Sequence, residues 1–395
     1  MGHRDVPVTA SSRIQPSLLG KINEQQVLRV IQERGPSSRA EVARQSGISA
    51  PTVSKAVASL LRSGLLEEVE VPELTGGRPA RKLRLAAERS QVLGLVIDAG
   101  HCWVVATGLD GGLHPDRMRR VETPGTYEAL LDALIAAVRA LMDRPGVRTL
   151  GLGISMPGLI DYRRGRGVLS PNLPVTNGRT PGRDLAERLG LDCVLLQESH
   201  ALCLAERYYG SARGLDDFAM LDVSTGVGMG VMSGGRLLRG HSGFAGEIGH
   251  ITVDPEGRPC GCGNRGCLET VASDTSFAER ISWRIGQRVD IDEAIRLVRS
   301  GEVAAGAEIG DLARFMAIGL AAVINIFNPA TLFVYGRVFK ADEALFPLVL
   351  EETARRALRP SFAECRIVQA RGSKRQGAIA GIIQHLTESL APALS

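Results

Sequence analysis

The chain has 395 residues, 44% of them hydrophobic and 23% charged, with 47 basic against 43 acidic side chains. That is long enough for two or three domains and too apolar for a disordered chain. No uninterrupted apolar run is long enough for a bilayer, the first residues lack the apolar core of a signal peptide, and an odd set of seven cysteines does not suit a disulfide framework, so the expectation is a cytoplasmic protein with no membrane partner.

The charge is unevenly placed. Residues 1–85 carry 13 basic and 8 acidic side chains, and the rest of the chain is close to neutral. A basic N-terminal fifth suggests contact with a polyanion. Residues 1–21 are polar and aperiodic and read as a flexible arm. From 22 to 88 the pattern is that of a winged helix-turn-helix. Val27, Leu28 and Ile31 recur at helical spacing until Gly35-Pro36. Ser38 and Glu41 form a capping box that opens a second helix. Gly47 supplies a turn, and Ser49 is placed to cap a third helix. In that helix Val53, Val57 and Leu60 share one face and Thr52, Lys55 and Ser59 lie on or near the other, the layout of a recognition helix for the major groove of operator DNA. The segments 67–71 and 81–85 read as strands joined by a Gly-rich basic loop. Its Arg78, and Arg81 beyond it, suit a wing that reaches DNA phosphate or the minor groove. The DNA-binding candidates are therefore Ser49, Thr52, Lys55, Ser59, Arg78 and Arg81.

Residues 89–395 alternate strands and helices and read as an α/β body of two lobes, about 89–200 plus a C-terminal helix, and about 201–377. Predicted strands run 92–97, 102–109, 150–155, 192–196, 219–233 (a pair) and 331–335. Predicted helices run about 127–142, around 183–189 and at several places from 274 to 327. The apolar stretch 316–327 fits either core or a dimer surface. Two such lobes imply a cleft.

The residues from Ser38 to about Gly381 resemble the ROK family of sugar kinases and repressors, specifically its repressor branch. The most specific match is Gly246-Glu247-Ile248-Gly249-His250 followed by the run 260–269, CGCGNRGCLE. Met156-Pro157-Gly158, Pro171-Asn172-Leu173 and the loop 224–228 are also similar. The resemblance implies an actin-like or hexokinase-like two-lobed body behind the winged helix.

His250, Cys260, Cys262 and Cys267 offer one imidazole and three thiolates, a closed tetrahedral set that suits one structural zinc per chain. The resemblance implies the same. It also implies a sugar pocket lined by Asn172, Glu247, His250 and Glu269, with His250 serving both sites through its two ring nitrogens. Family kinases carry Asn-Asp where this chain aligns Ser199-His200, so Ser199 and His200 join the pocket candidates and no Asp-type catalytic base is left, His200 standing in its place. The first phosphate loop, Asp98-Ala99-Gly100-His101, and the later Tyr335-Gly336-Arg337 depart from the kinase pattern as well. The expectation is a regulator rather than an enzyme, with no ATP use. It would be a homodimer or homotetramer that represses carbohydrate genes and answers to a sugar, sugar phosphate or amino sugar. A sugar kinase with an accessory DNA-binding head, and a regulator governed by a protein partner, are the alternatives.

Overall fold

A computed structural model describes residues 16–71 and 80–388. They fall into two units, one holding the residues up to Ser90 with those from Gln384 onward, the other running from Gln91 to Ile383.

The first unit is built from α1 (Pro16–Arg34), α2 (Arg39–Ser46) and α3 (Ala50–Ser63), followed by the antiparallel pair β1 (Leu66–Val71) and β2 (Ala80–Leu85). α1 starts within the expected arm, which corrects the boundary at residue 21. Proline at a first helical position costs no hydrogen bond, and Leu18, Leu19 and Ile22 carry the helical spacing back into this segment. Val27, Leu28 and Ile31 meet Val42, Val53, Val57, Leu60, Leu66 and Leu83 in a small buried core. The capping box is present: Ser38 N donates to Glu41 Oε2 at 2.7 Å and Glu41 N to Ser38 Oγ at 3.2 Å. Gly47 ends α2 in the left-handed region, at φ 70°, where a side chain would be strained.

The second unit begins with β3 (Ser90–Val96), β4 (His101–Thr107), β5 (Met118–Glu122), α4 (Tyr127–Met142) and β6 (Arg148–Met156). A small hairpin of β7 (Leu159–Asp161) and β8 (Arg166–Leu169) follows, then α5 (Pro181–Leu189), β9 (Cys193–Gln197) and α6 (Glu198–Tyr209). The second lobe contains β10 (Phe218–Asp222), β11 (Gly228–Ser233), β12 (Arg236–Leu237), α7 (Asp274–Ile285), α8 (Ile291–Arg299) and α9 (Gly306–Phe327). It closes with β13 (Thr331–Tyr335), α10 (Leu345–Ala354), α11 (Arg359–Glu364) and β14 (Arg366–Gln369), and α12 (Lys374–Glu388) then packs on the first sheet. The end of α12 from Gln384 groups with the first unit, so the body does not run unbroken to the C-terminus as expected.

The two sheets share one topology. The first is ordered β5-β4-β3-β6-β9 and the second β12-β11-β10-β13-β14, so the earliest strand lies at the centre of each. In the second sheet β10–β11–β12 are antiparallel and β10–β13–β14 parallel. In the first, β3–β4–β5 are antiparallel and β6–β9 parallel. α9 is long and apolar enough to cross a membrane by length and composition. Ile309, Leu312, Met316, Leu320, Val323 and Ile324 are nevertheless buried in the second lobe, while Ile326 near its end is 70% exposed.

Candidate functional site

On α3, Ser49 and Lys55 are exposed and Thr52 and Ser59 half-buried, outside the Val53–Val57–Leu60 core face. Ser49 holds the position before the helix but makes no side-chain cap. Its hydroxyl lies 2.8 Å from the Thr52 hydroxyl instead, so the expected cap is corrected to a hydroxyl pair on the exposed side. Arg81 is exposed on β2 and lies 3.8 Å from Glu68, a carboxylate that also pairs with Arg39 at 2.7 Å. Part of the basic surplus is thus answered within the unit. Arg78 lies outside the described residues.

The metal candidates converge. His250, Cys260, Cys262 and Cys267 place their ligand atoms within 4.8 Å of one another. The loop folds back through isolated bridges between Thr252 and Cys267 and between Pro259 and Arg265. Gly266, at φ 65°, lets the chain pass the Asp254 carbonyl where a Cβ would collide. A tetrahedron with Zn–S near 2.3 Å has sulfur–sulfur edges of about 3.8 Å. Cys262 Sγ and Cys267 Sγ are 3.7 Å apart, and Cys260 Sγ lies 3.8 Å from His250 Nδ1. The donor set therefore fits a zinc ion. The Cys260 thiol donates to Glu269 Oε1 at 2.9 Å, a proton that metal ligation would displace.

The pocket candidates Asn172, Glu247, His250 and Glu269 also come together. His250 Nε2 is 3.6 Å from Glu247 Oε2, and His250 Nδ1 is 3.6 Å from Glu269 Oε1. A Cβ on Gly226 would lie 2.8 Å from Glu269 Oε2 and 3.7 Å from Asn172 Nδ2, so the bare loop 224–228 approaches both. Burial pushes the Glu247 carboxyl above its usual pKa. Gln197, which the sequence did not single out, holds Glu247 by donating from Nε2 to Oε1 at 2.7 Å. Only a contact across 50 positions identifies it.

His200 and Ser199 lie in the first turn of α6. His200 is fully buried on α6. Its Nδ1 is 2.9 Å from the Tyr162 hydroxyl, its ring stacks on Tyr162 at 5.9 Å, and burial lowers its pKa to about 4. Ser199 is buried too and donates to Gln197 Oε1 at 3.1 Å, supporting the pocket from behind. Glu198, the first residue of α6, is the carboxylate that pairs with Lys374. Each helical step turns the side chain by about 100°, and two steps carry His200 to the far side.

A cleft of about 1650 Å³ lies in the body, lined by Asp98, Ser224, Asp274, Tyr335, Arg337 and Lys374 among others. Asp274 accepts from the backbone N–H groups of Arg337 at 3.0 Å and Val338 at 2.9 Å, while burial raises its pKa to about 6.

The ROK family matches residues 95–387 and the MarR family residues 22–73. The chain is 29% identical over 344 residues to the N-acetylglucosamine repressor of Escherichia coli O157:H7, covering 84% of each chain. It is 28% identical over 337 residues to the xylose repressor of Bacillus subtilis strain 168, covering 84% of this chain and 85% of the repressor. Its structure is similar to that of a ROK family transcriptional regulator described as a homologue of the E. coli Mlc protein, with a TM-score of 0.80 at 26% identity over 94% of this chain and 98% of that one. The ROK hexokinase of Thermus thermophilus is similar to the body alone, with a TM-score of 0.63 at 31% identity over 75% of this chain and 99% of the hexokinase.

Proposed function

The chain belongs to the ROK family, and from that premise we propose that it is a DNA-binding repressor of sugar-utilisation genes whose hold on its operator is set by a sugar or sugar derivative. The observation that carries this reading is the joining of a capped helix-turn-helix unit to a ROK body in one chain. Lys55, Thr52 and Ser59 meet the major groove, Ser49 and Arg81 flank them, and Arg78 adds a further DNA contact. One such module offers few base contacts, so the working form is a homodimer or homotetramer on a two-fold operator. It acts in the cytoplasm.

The effector sits among Asn172, Glu247, His250 and Glu269, where carboxylates and an amide meet hydroxyls at fixed angles. Gln197 holds Glu247 in place from the end of β9. His250, Cys260, Cys262 and Cys267 hold one structural zinc, which supplies no reaction and ties the Glu247 segment to the Glu269 segment. A ligand changes DNA affinity by favouring one arrangement of the body over another.

A kinase reading has two observations in its favour, the similarity to the ROK hexokinase and the nearly buried carboxylate of Glu198. The amine of Lys374 already pairs with it, and the loop at Asp98–His101 lacks the kinase pattern, so the reading without ATP turnover is preferred. The test is thermal unfolding against neutral, amino and phosphorylated sugars, followed by release of selected operator DNA with any sugar that shifts the transition. A shift and release by the same sugar are the expected result. Steady ATP consumption with a hexose overturns the non-enzyme reading. Binding of DNA with no response to any sugar moves control to a protein partner.

A further inference from the structure

The chain crosses between the two sheets of the body twice. One crossing is α6 and the turn after it, from β9 to β10; the other is residues 370–373, from β14 into α12. α12 is seated on the first sheet so closely that a Cβ on Gly153 would collide with the Ala378 carbonyl. It also meets α6, where a Cβ on Gly377 would lie 2.7 Å from the Ala201 backbone.

Buried charges stitch the two crossings together. Glu206, fully buried on α6, accepts from the backbone N–H of Arg371 at 3.0 Å and of Gly372 at 2.7 Å. Lys374, the first residue of α12, has a side chain only 13% exposed. Its amine pairs with Glu198, the first residue of α6, and lies 3.6 Å from Asp222 at the end of the central strand β10. One cation thus touches a helix of the first lobe, the crossing helix and the second sheet. Burial opposes its charge, yet Asp222, Glu198 and Asp98 together keep its pKa above the ordinary lysine value. The cluster holds more carboxylate than amine, so it does not form a phosphate site, and the amine is committed to its neighbours.

We propose that Lys374 is a tethered counter-ion that locks the two crossings between the lobes to each other. The inference depends on neither the DNA nor the sugar reading. Removing the amine strands Glu198 and Asp222, both nearly buried, and removing one partner of a buried pair is strongly destabilising.

The test is amide hydrogen exchange on the full chain. In Lys374→Met, exchange at Arg371 and Gly372 and in the first hydrogen-bonded turn of α6 rises together by roughly a hundredfold, while α9 stays as in the wild type. Adding Glu198→Gln removes one stranded carboxylate and restores much of the protection at both crossings. Loosening of one crossing only, or effects that simply add in the double variant, overturns the proposal and leaves Lys374 a packing residue. Should Lys374→Met fail to fold, Lys374→Arg and Glu198→Gln supply the same decision: the first keeps both crossings protected, the second loosens both, and any other pattern overturns the lock.

Discussion

Replacing His200 by Gln separates a core imidazole from a pocket imidazole. The ring is fully buried against Tyr162, and its pKa falls from 6.5 to about 4 because burial disfavours the charged form. The unfolded chain therefore takes up a proton that the folded chain refuses. Stability from this residue is complete above about pH 7 and is lost as pH falls from 6.5 toward 4. At pH 5 the unfolded imidazole is nearly all charged and the folded one mostly neutral, a difference of about 2 kcal/mol. Below pH 4 the loss levels off at about 3.4 kcal/mol. Gln keeps a group able to accept from the Tyr162 hydroxyl but does not titrate. Urea-unfolding midpoints at pH 7.5 and pH 5, for wild type and His200→Gln, isolate the effect as a difference of differences. The wild type is expected to lose about 2 kcal/mol more than the variant on acidification. Parallel losses in the two proteins would falsify the core placement, because an imidazole in a wet pocket titrates alike in both states.

Other perturbations test the remaining assignments. Lys55→Ala leaves the fold of the first unit intact, since the side chain is exposed, and is expected to weaken operator binding by about 1–3 kcal/mol in a gel-shift or anisotropy titration. Unchanged affinity would remove α3 from the major groove. Cys262→Ser is expected to lose the metal, about one ion per chain by elemental analysis of the wild type, and to lower the thermal transition of the body. Full metal content in the variant refutes the ligand set. Ser38→Ala is expected to cost about 1 kcal/mol of stability through its lost cap, whereas Ser49→Ala costs a few tenths because its hydroxyl meets Thr52 rather than a backbone N–H. Equal losses by denaturant titration would contradict the difference in capping.

What the sequence revealed is what has a local cause. The bounds of α4 follow from apolar spacing that buries Leu130, Leu134 and Val138 on one face. The turn into α2 follows from Ser38 and Glu41 serving each other's backbone. The metal cluster was legible because thiols and glycines packed into one short run have few other uses. What stayed hidden is phase. From Ser199 to Glu206 every side chain of α6 is buried, so the run shows no apolar stripe and no solvent face by which to place its start. Without that start, the residue types near 197–200 were known but not their directions. A reading aligned on Ser199-His200 set the site's charge on an imidazole, while the helix turns that imidazole to Tyr162 and leaves Glu198 to meet Lys374. Lys374 itself lies 176 positions from its partner, and no local pattern distinguishes a buried lysine at a helix start from a solvated one. Glu198 and its counter-ion are thus one discovery: neither has a role that can be read from its own segment, and each acquires one only when the two crossings are brought side by side.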